Sequence, residues 1–89
     1  MKAFQISGDE NRIYFQNLLR QPGEEELQEV IKILTTSGGR LGKKNEAADV
    51  DMYMGNLNGT EFRLLYTGEE AIICTDSKES AGEILKIFE

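Results

Sequence analysis

Hydrophobic and polar positions alternate most regularly between Asp49 and Asp76, and that stretch organises the chain. Asn58-Gly59 separates the run 50–57 from the run 60–66. Asn-Gly between two β-rich runs predicts a hairpin closed by a type I′ turn, whose two central residues need φ > 0. A third run, 71–75, follows Thr67-Gly68-Glu69-Glu70, with Gly68 at the first central position of a type II′ turn. The pattern predicts a three-strand antiparallel meander.

The two turns fix its register. A two-residue loop at Asn58-Gly59 sets Leu57 opposite Thr60, Gly55 opposite Phe62, Tyr53 opposite Leu64 and Asp51 opposite Tyr66. Opposed residues share a face, and faces alternate along a strand. One face therefore carries Tyr53, Leu57, Phe62, Leu64 and Tyr66, and closing the second turn at Gly68-Glu69 adds Ala71 and Ile73. The other carries Val50, Met52, Met54, Leu65, Ile72 and Cys74, with Arg63 among them. The first is richer in aromatic residues and is the expected core. The second is too apolar for an ordinary solvated face, and Met52, Met54, Arg63, Leu65 and Ile72 are the expected partner-binding residues.

Residues 2–7 also alternate, with Phe4 and Ile6 on one side and Ala3, Gln5 and Ser7 on the other, as in a strand. Residues 9–20 allow two readings. Ser7 and Glu10 match a capping box, after which Tyr14/Leu18 and Phe15/Leu19 are i, i+4 pairs of a helix. Alternatively residues 8–11 turn, and 13–19 form a strand with Ile13, Phe15 and Leu19 facing in. Ile-Tyr-Phe starts a strand better than a helix, which favours the hairpin.

Residues 24–36 predict a helix after Pro22-Gly23, with Leu27, Val30, Ile31 and Leu34 as one buried stripe. Glu24, Glu25 and Glu26 in its first turn meet the positive end of the helix dipole, and Gly38-Gly39 terminates it. Residues 40–48 read as a loop returning to the meander. Residues 76–88 close the chain as a second helix, with Asp76 and Glu79 matching a capping box and Ala81, Ile84, Leu85 and Phe88 facing in.

These elements predict one α+β, two-layer domain over residues 1–89. It comprises an antiparallel sheet of four to five strands, ending in the meander, and two amphipathic helices. The order is ββαβββα, or βααβββα if residues 9–20 are helical. Each helix has one apolar stripe and covers a sheet from one side only. If both lie on the Phe62/Leu64 face, the Met52/Leu65 face stays uncovered.

Composition narrows the function. The chain is 39% hydrophobic and 29% charged, an ordinary balance for a folded domain. Its net charge is −6, with sixteen acidic and ten basic residues, so nucleic acid and anionic membrane are disfavoured partners. The apolar runs are too short to span a bilayer, and no signal-peptide core follows the N-terminus. One cysteine allows no internal disulfide, in keeping with a reducing, cytoplasmic setting. The sequon Asn58-Gly59-Thr60 is then simply the hairpin turn.

Candidate chemistry is sparse. The segment 37–44 resembles a phosphate loop but has the wrong glycine spacing, Lys44 in place of the hydroxyl, and a helix before it. Arg40, Lys43 and Lys44 remain as a basic patch able to contact an anion. Asp49-Val50-Asp51 opens like a calcium loop, yet Tyr53, Met54 and Thr60 occupy positions that need a ligand, a glycine and a glutamate. Cys74 has no histidine to activate it and falls in an apolar strand. No catalytic residue, metal or cofactor is expected. The expected function is a non-enzymatic interaction module, either a homodimer or an acidic inhibitor or immunity-type protein with one macromolecular partner. The alternative is a regulatory domain binding a small anion or nucleotide through Arg40, Lys43 and Lys44.

Overall fold

The computed structural model describes residues 2–16 and 22–89. Strands β1 (Lys2–Ile6) and β2 (Asp9–Gln16) form an N-terminal hairpin, followed by helix α1 (Gly23–Thr36). Strands β3 (Gly39–Glu46), β4 (Asp51–Leu57), β5 (Thr60–Tyr66) and β6 (Ala71–Cys74) make a meander, and helix α2 (Lys78–Leu85) runs into a 3₁₀ turn, Lys86–Phe88. The six strands form one antiparallel sheet in the order β1-β2-β6-β5-β4-β3. The fold is α+β with the element order ββαββββα, which is the expected ββαβββα with one further strand after α1.

The meander has the register derived from its turns. Leu57 pairs with Thr60, Gly55 with Phe62, Tyr53 with Leu64 and Asp51 with Tyr66, while Leu64 pairs with Ile73 and Tyr66 with Ala71. Asn58 (φ 52°) and Gly59 (φ 92°) both adopt the left-handed conformation of a I′ turn, and Gly68 (φ 91°) supplies it at the second turn.

The additional strand is β3, where a loop was expected over residues 40–48. It pairs with β4 from Gly39 opposite Leu57 to Glu46 opposite Asp51, with a register shift between Leu41 and Lys44. Leu41 is its one apolar side chain, so alternation gives no signal there. Backbone pairing to β4 forms the strand, and as an edge strand it needs no second apolar face.

The N-terminal hairpin also forms, and the capped helix beginning at Ser7 does not. Its turn is shorter than residues 8–11, because β2 already begins at Asp9. Ile13 and Phe15 face the core as expected, whereas Leu18 and Leu19 lie outside the described residues. The hairpin joins the meander by pairing Arg12 with Cys74 and Ile13 with Ile73. Thr75 reinforces this seam, its backbone N–H and its Oγ1 both donating to the Asn11 carbonyl, at 2.9 and 2.7 Å.

Both helices pack on one side of the sheet, α1 on β3 and β6, and α2 on β2 and β5. Val30 and Leu34 of α1 and Ala81 and Ile84 of α2 are fully buried against Ile13, Phe62, Leu64 and Ile73. Phe88 closes the end of this core against Phe15, ring centroids 5.0 Å apart. The cap of α2 is Ser77 and not Asp76: Ser77 Oγ accepts the Ser80 N–H at 3.0 Å, while Asp76 turns to Arg63. The buried stripe is unaffected, because packing on the sheet sets the phase of the helix.

Gly55 is required by packing. A Cβ there would run into the Phe62 ring, which lies across β4 from the neighbouring strand. Gly55→Ala should therefore cost about 1–3 kcal/mol by overpacking. Gly59→Val should cost more than about 1 kcal/mol, because a β-branched residue resists positive φ. Gly82→Ala meets no atom within 4 Å and should gain up to about 1 kcal/mol of helix propensity. Chemical denaturation of the three variants checks this order.

Candidate functional site

The sheet face away from the helices is built from the side chains that alternate with the core. Register places Arg12, Cys74, Arg63 and Met54 in one row across β2, β6, β5 and β4. The next row holds Phe4 on β1 opposite Tyr14 on β2, then Ile72, Leu65 and Met52. The expected residues Met52, Met54, Arg63, Leu65 and Ile72 thus share one open face. Met54 is 49% exposed, and the other four are partly exposed.

The N-terminal hairpin contributes residues that were not anticipated. Phe4 and Tyr14 stack with ring centroids 6.1 Å apart, and Phe4 remains 36% exposed. On β1 it is the small Ala3 that packs on the core, so the larger Phe4 is turned outward. Alternation alone separates Phe4 from Ala3, but only the pairing of β1 with β2 says which side is inside.

Two arginines on this face have carboxylate partners within the chain. Arg63 Nη1 lies 3.3 Å from Asp76 Oδ1, and Arg12 Nε lies 4.0 Å from Asp9 Oδ1. The Tyr14 hydroxyl donates to Asp9 Oδ2 at 2.6 Å, which holds its pKa above the ordinary tyrosine value. Cys74 is only 7% exposed, and burial pushes its thiol pKa up although Arg12 and Arg63 pull the other way. It stays a protonated thiol at neutral pH, unsuited to nucleophilic attack.

Arg40, Lys43 and Lys44 all lie on β3. Arg40 pairs with Asn56 on the open side, whereas Lys44 pairs with Tyr53 on the core side and bridges Glu46 at 3.2 Å. The register shift between Leu41 and Lys44 separates them. A polar hollow of about 330 Å³ adjoins Arg40, lined also by Gly38, Asn56 and Asn58. A second, wide-open hollow of about 330 Å³ lies beside Met54 and Gly42, with Arg40, Asn56 and Glu61 also in its lining.

Glu26 lies in the first turn of α1 with Glu24 and Glu25, as expected, but is buried there. It is 2% exposed, and burial raises its pKa, with Glu70 and Glu29 adding to the rise and the Ala71 backbone N–H opposing it. Comparison with known proteins gives no match: no family model fits the chain, and no curated protein or solved structure is significantly similar to it. No described helix is long and apolar enough to cross a membrane.

A folded-state pKa above the unfolded value means that Glu26 favours the fold when protonated. That contribution is complete below the ordinary glutamate pKa and is lost as pH rises through the raised value. Glu26→Gln should therefore raise the Tm at pH about 7, with the advantage vanishing towards pH about 4. Thermal melts across that range check it. A variant less stable by the same margin at every pH would mean that the carboxylate's bond to Ala71 outweighs its desolvation.

Proposed function

We propose that the chain is a non-enzymatic protein-interaction module that binds through the open face of its sheet. The observation that carries this reading is the apolar band of Phe4, Tyr14, Ile72, Leu65, Met52 and Met54, left exposed or partly exposed on a sheet whose helices both lie behind it. Contiguous apolar surface of this kind marks binding sites on folded domains. Methionine suits it, being flexible and polarisable. Covering one such side chain contributes roughly 1.5–3 kcal/mol, so several together offset the entropy of association.

A non-enzymatic role is supported by the absence of histidine from the sequence and by the buried, protonated state of Cys74. The net charge of −6 suits either a self-associating protein or an acidic inhibitor of immunity type acting in the cytoplasm. Small-anion binding is the second reading, and the polar hollow beside Arg40 favours it.

Replacing both Met54 and Leu65 with Lys should abolish self-association or partner capture while the thermal melt keeps its cooperativity. Light scattering and affinity capture with each form read this directly. Unfolding of the double variant would instead make this face internal core and remove the reading. Replacing Arg40, Lys43 and Lys44 with Gln should leave the Tm nearly unchanged, since exposed charges contribute little. Phosphate or a nucleotide that stabilises the wild type and not this triple variant would put the anion reading first.

A further inference from the structure

We infer that Asn58 is a modification site of the folded chain: it loses its side-chain amide spontaneously, and the Asn56 side chain is the latch that slows the loss. The inference is independent of how the open face is used. Of the chain's asparagines only Asn58 is followed by glycine. Glycine has no Cβ to shield its nitrogen, so in an Asn-Gly pair that nitrogen approaches the asparagine Cγ with least hindrance. The pair that closes the β4–β5 hairpin therefore also carries a reaction.

The turn presents both residues to water. Asn58 and Gly59 are exposed, and the space where a Gly59 side chain would begin has no atom within 4 Å of it. Base and water therefore reach the Gly59 nitrogen and the Asn58 amide, and the tip of a hairpin opens locally at low free-energy cost. One contact opposes the reaction. The Gly59 N–H donates to Asn56 Oδ1 at 2.9 Å, a good hydrogen-bond length. A nitrogen held in this way keeps its proton and its place in the turn.

Water is the only co-reactant. The Gly59 nitrogen gives its proton to solvent base and bonds to Asn58 Cγ; the Cγ–Nδ2 bond breaks, and the departing nitrogen takes up a proton and leaves as ammonia. Water then opens the resulting cyclic imide at either carbonyl. Opening at Cγ leaves aspartate, and opening at the backbone carbonyl leaves isoaspartate, with the chain running through the side chain. Aspartate keeps the turn, since Asp-Gly also closes I′ loops. Its carboxylate then lines the polar hollow with Arg40, which has no carboxylate partner among the described residues. Isoaspartate instead adds a methylene to the backbone of a two-residue loop and strains the pairing of Leu57 with Thr60. Either product makes the chain one charge more negative than −6.

Prolonged incubation of the native chain in mildly alkaline buffer, followed by peptide mass spectrometry, tests the inference. The expected result is conversion at position 58 ahead of every other asparagine, with the mass change of an amide becoming an acid and with both acidic products present. Asn56→Ala should convert roughly 2–10-fold faster, the range that one net hydrogen bond supports. Asn56→Asp keeps an acceptor for the Gly59 N–H and should restore the slow rate. Hydrogen exchange separates a latch from general loosening. In Asn56→Ala the Gly59 amide should lose protection while the Phe62 and Leu64 amides of the β4–β5 ladder keep theirs. A native chain that stays unconverted at Asn58 while the same chain converts in urea overturns the site, as does conversion of Asn58 no faster than of the other asparagines. Equal rates for the wild type and Asn56→Ala, or loss of ladder protection together with that of Gly59, overturn the latch.

Discussion

A helix with one apolar stripe covers a sheet from one side, and both helices here apply theirs to the same side. Leu27, Val30 and Leu34 of α1 and Ala81 and Ile84 of α2 join a single core with Ile13, Phe62, Leu64 and Ile73. The remaining architecture follows from that placement. Alternation then obliges Met52, Met54, Leu65 and Ile72 to face away from the helices, because each neighbours a core residue along its strand. The open apolar face is thus the geometric complement of the core. Its composition is what makes it informative, since a purely solvated face would carry polar residues at those positions.

The meander was legible because its turns are written in residues with one main conformational use. Asn58-Gly59 closes β4 on β5, Gly68 closes β5 on β6, and a closed turn leaves one register. Strand β3 was not legible, because edge pairing is a backbone affair and its side chains are chiefly glycine and charge. The cap of α2 differed by one residue for a related reason. Asp76 has the right chemistry for a cap, but a long-range partner, Arg63, claims its carboxylate and leaves the task to Ser77. Glu26 shows the limit of reading a first turn by charge alone. Three successive glutamates point in different directions, and one of them falls under the turn between β5 and β6.

The candidate site was legible in part. The face of Met52, Met54, Arg63, Leu65 and Ile72 followed from register, whereas the contribution of Phe4 and Tyr14 depended on how the N-terminal hairpin meets the meander. That junction is short, pairing Arg12 with Cys74 and Ile13 with Ile73, and neither turn chemistry nor periodicity encodes it. What encodes it is burial: Ile13 and Ile73 are both fully buried, and joining the two parts of the sheet removes both from water. The same junction gives Cys74 its character. Two arginines flank it, yet its burial keeps it a thiol, so the arginines serve the surface of the face and not a nucleophile.

The sheet edges bear on the proposed use of the open face. An exposed strand edge invites pairing with another chain unless side chains or irregularities prevent it. On β3 the register shift between Leu41 and Lys44 interrupts the edge, and Lys43, Lys44 and Glu46 crowd it with charge. On β1 the edge is five residues long, begins at Lys2 and carries an irregularity between Phe4 and Ile6. Both edges are thus poor templates for adding a strand. The broad face between them is apolar at its centre, and its Arg63 and Arg12 are paired with Asp76 and Asp9. Under the interaction reading proposed above, contact then goes to the face, where side-chain shape, and not backbone hydrogen bonding, chooses the partner.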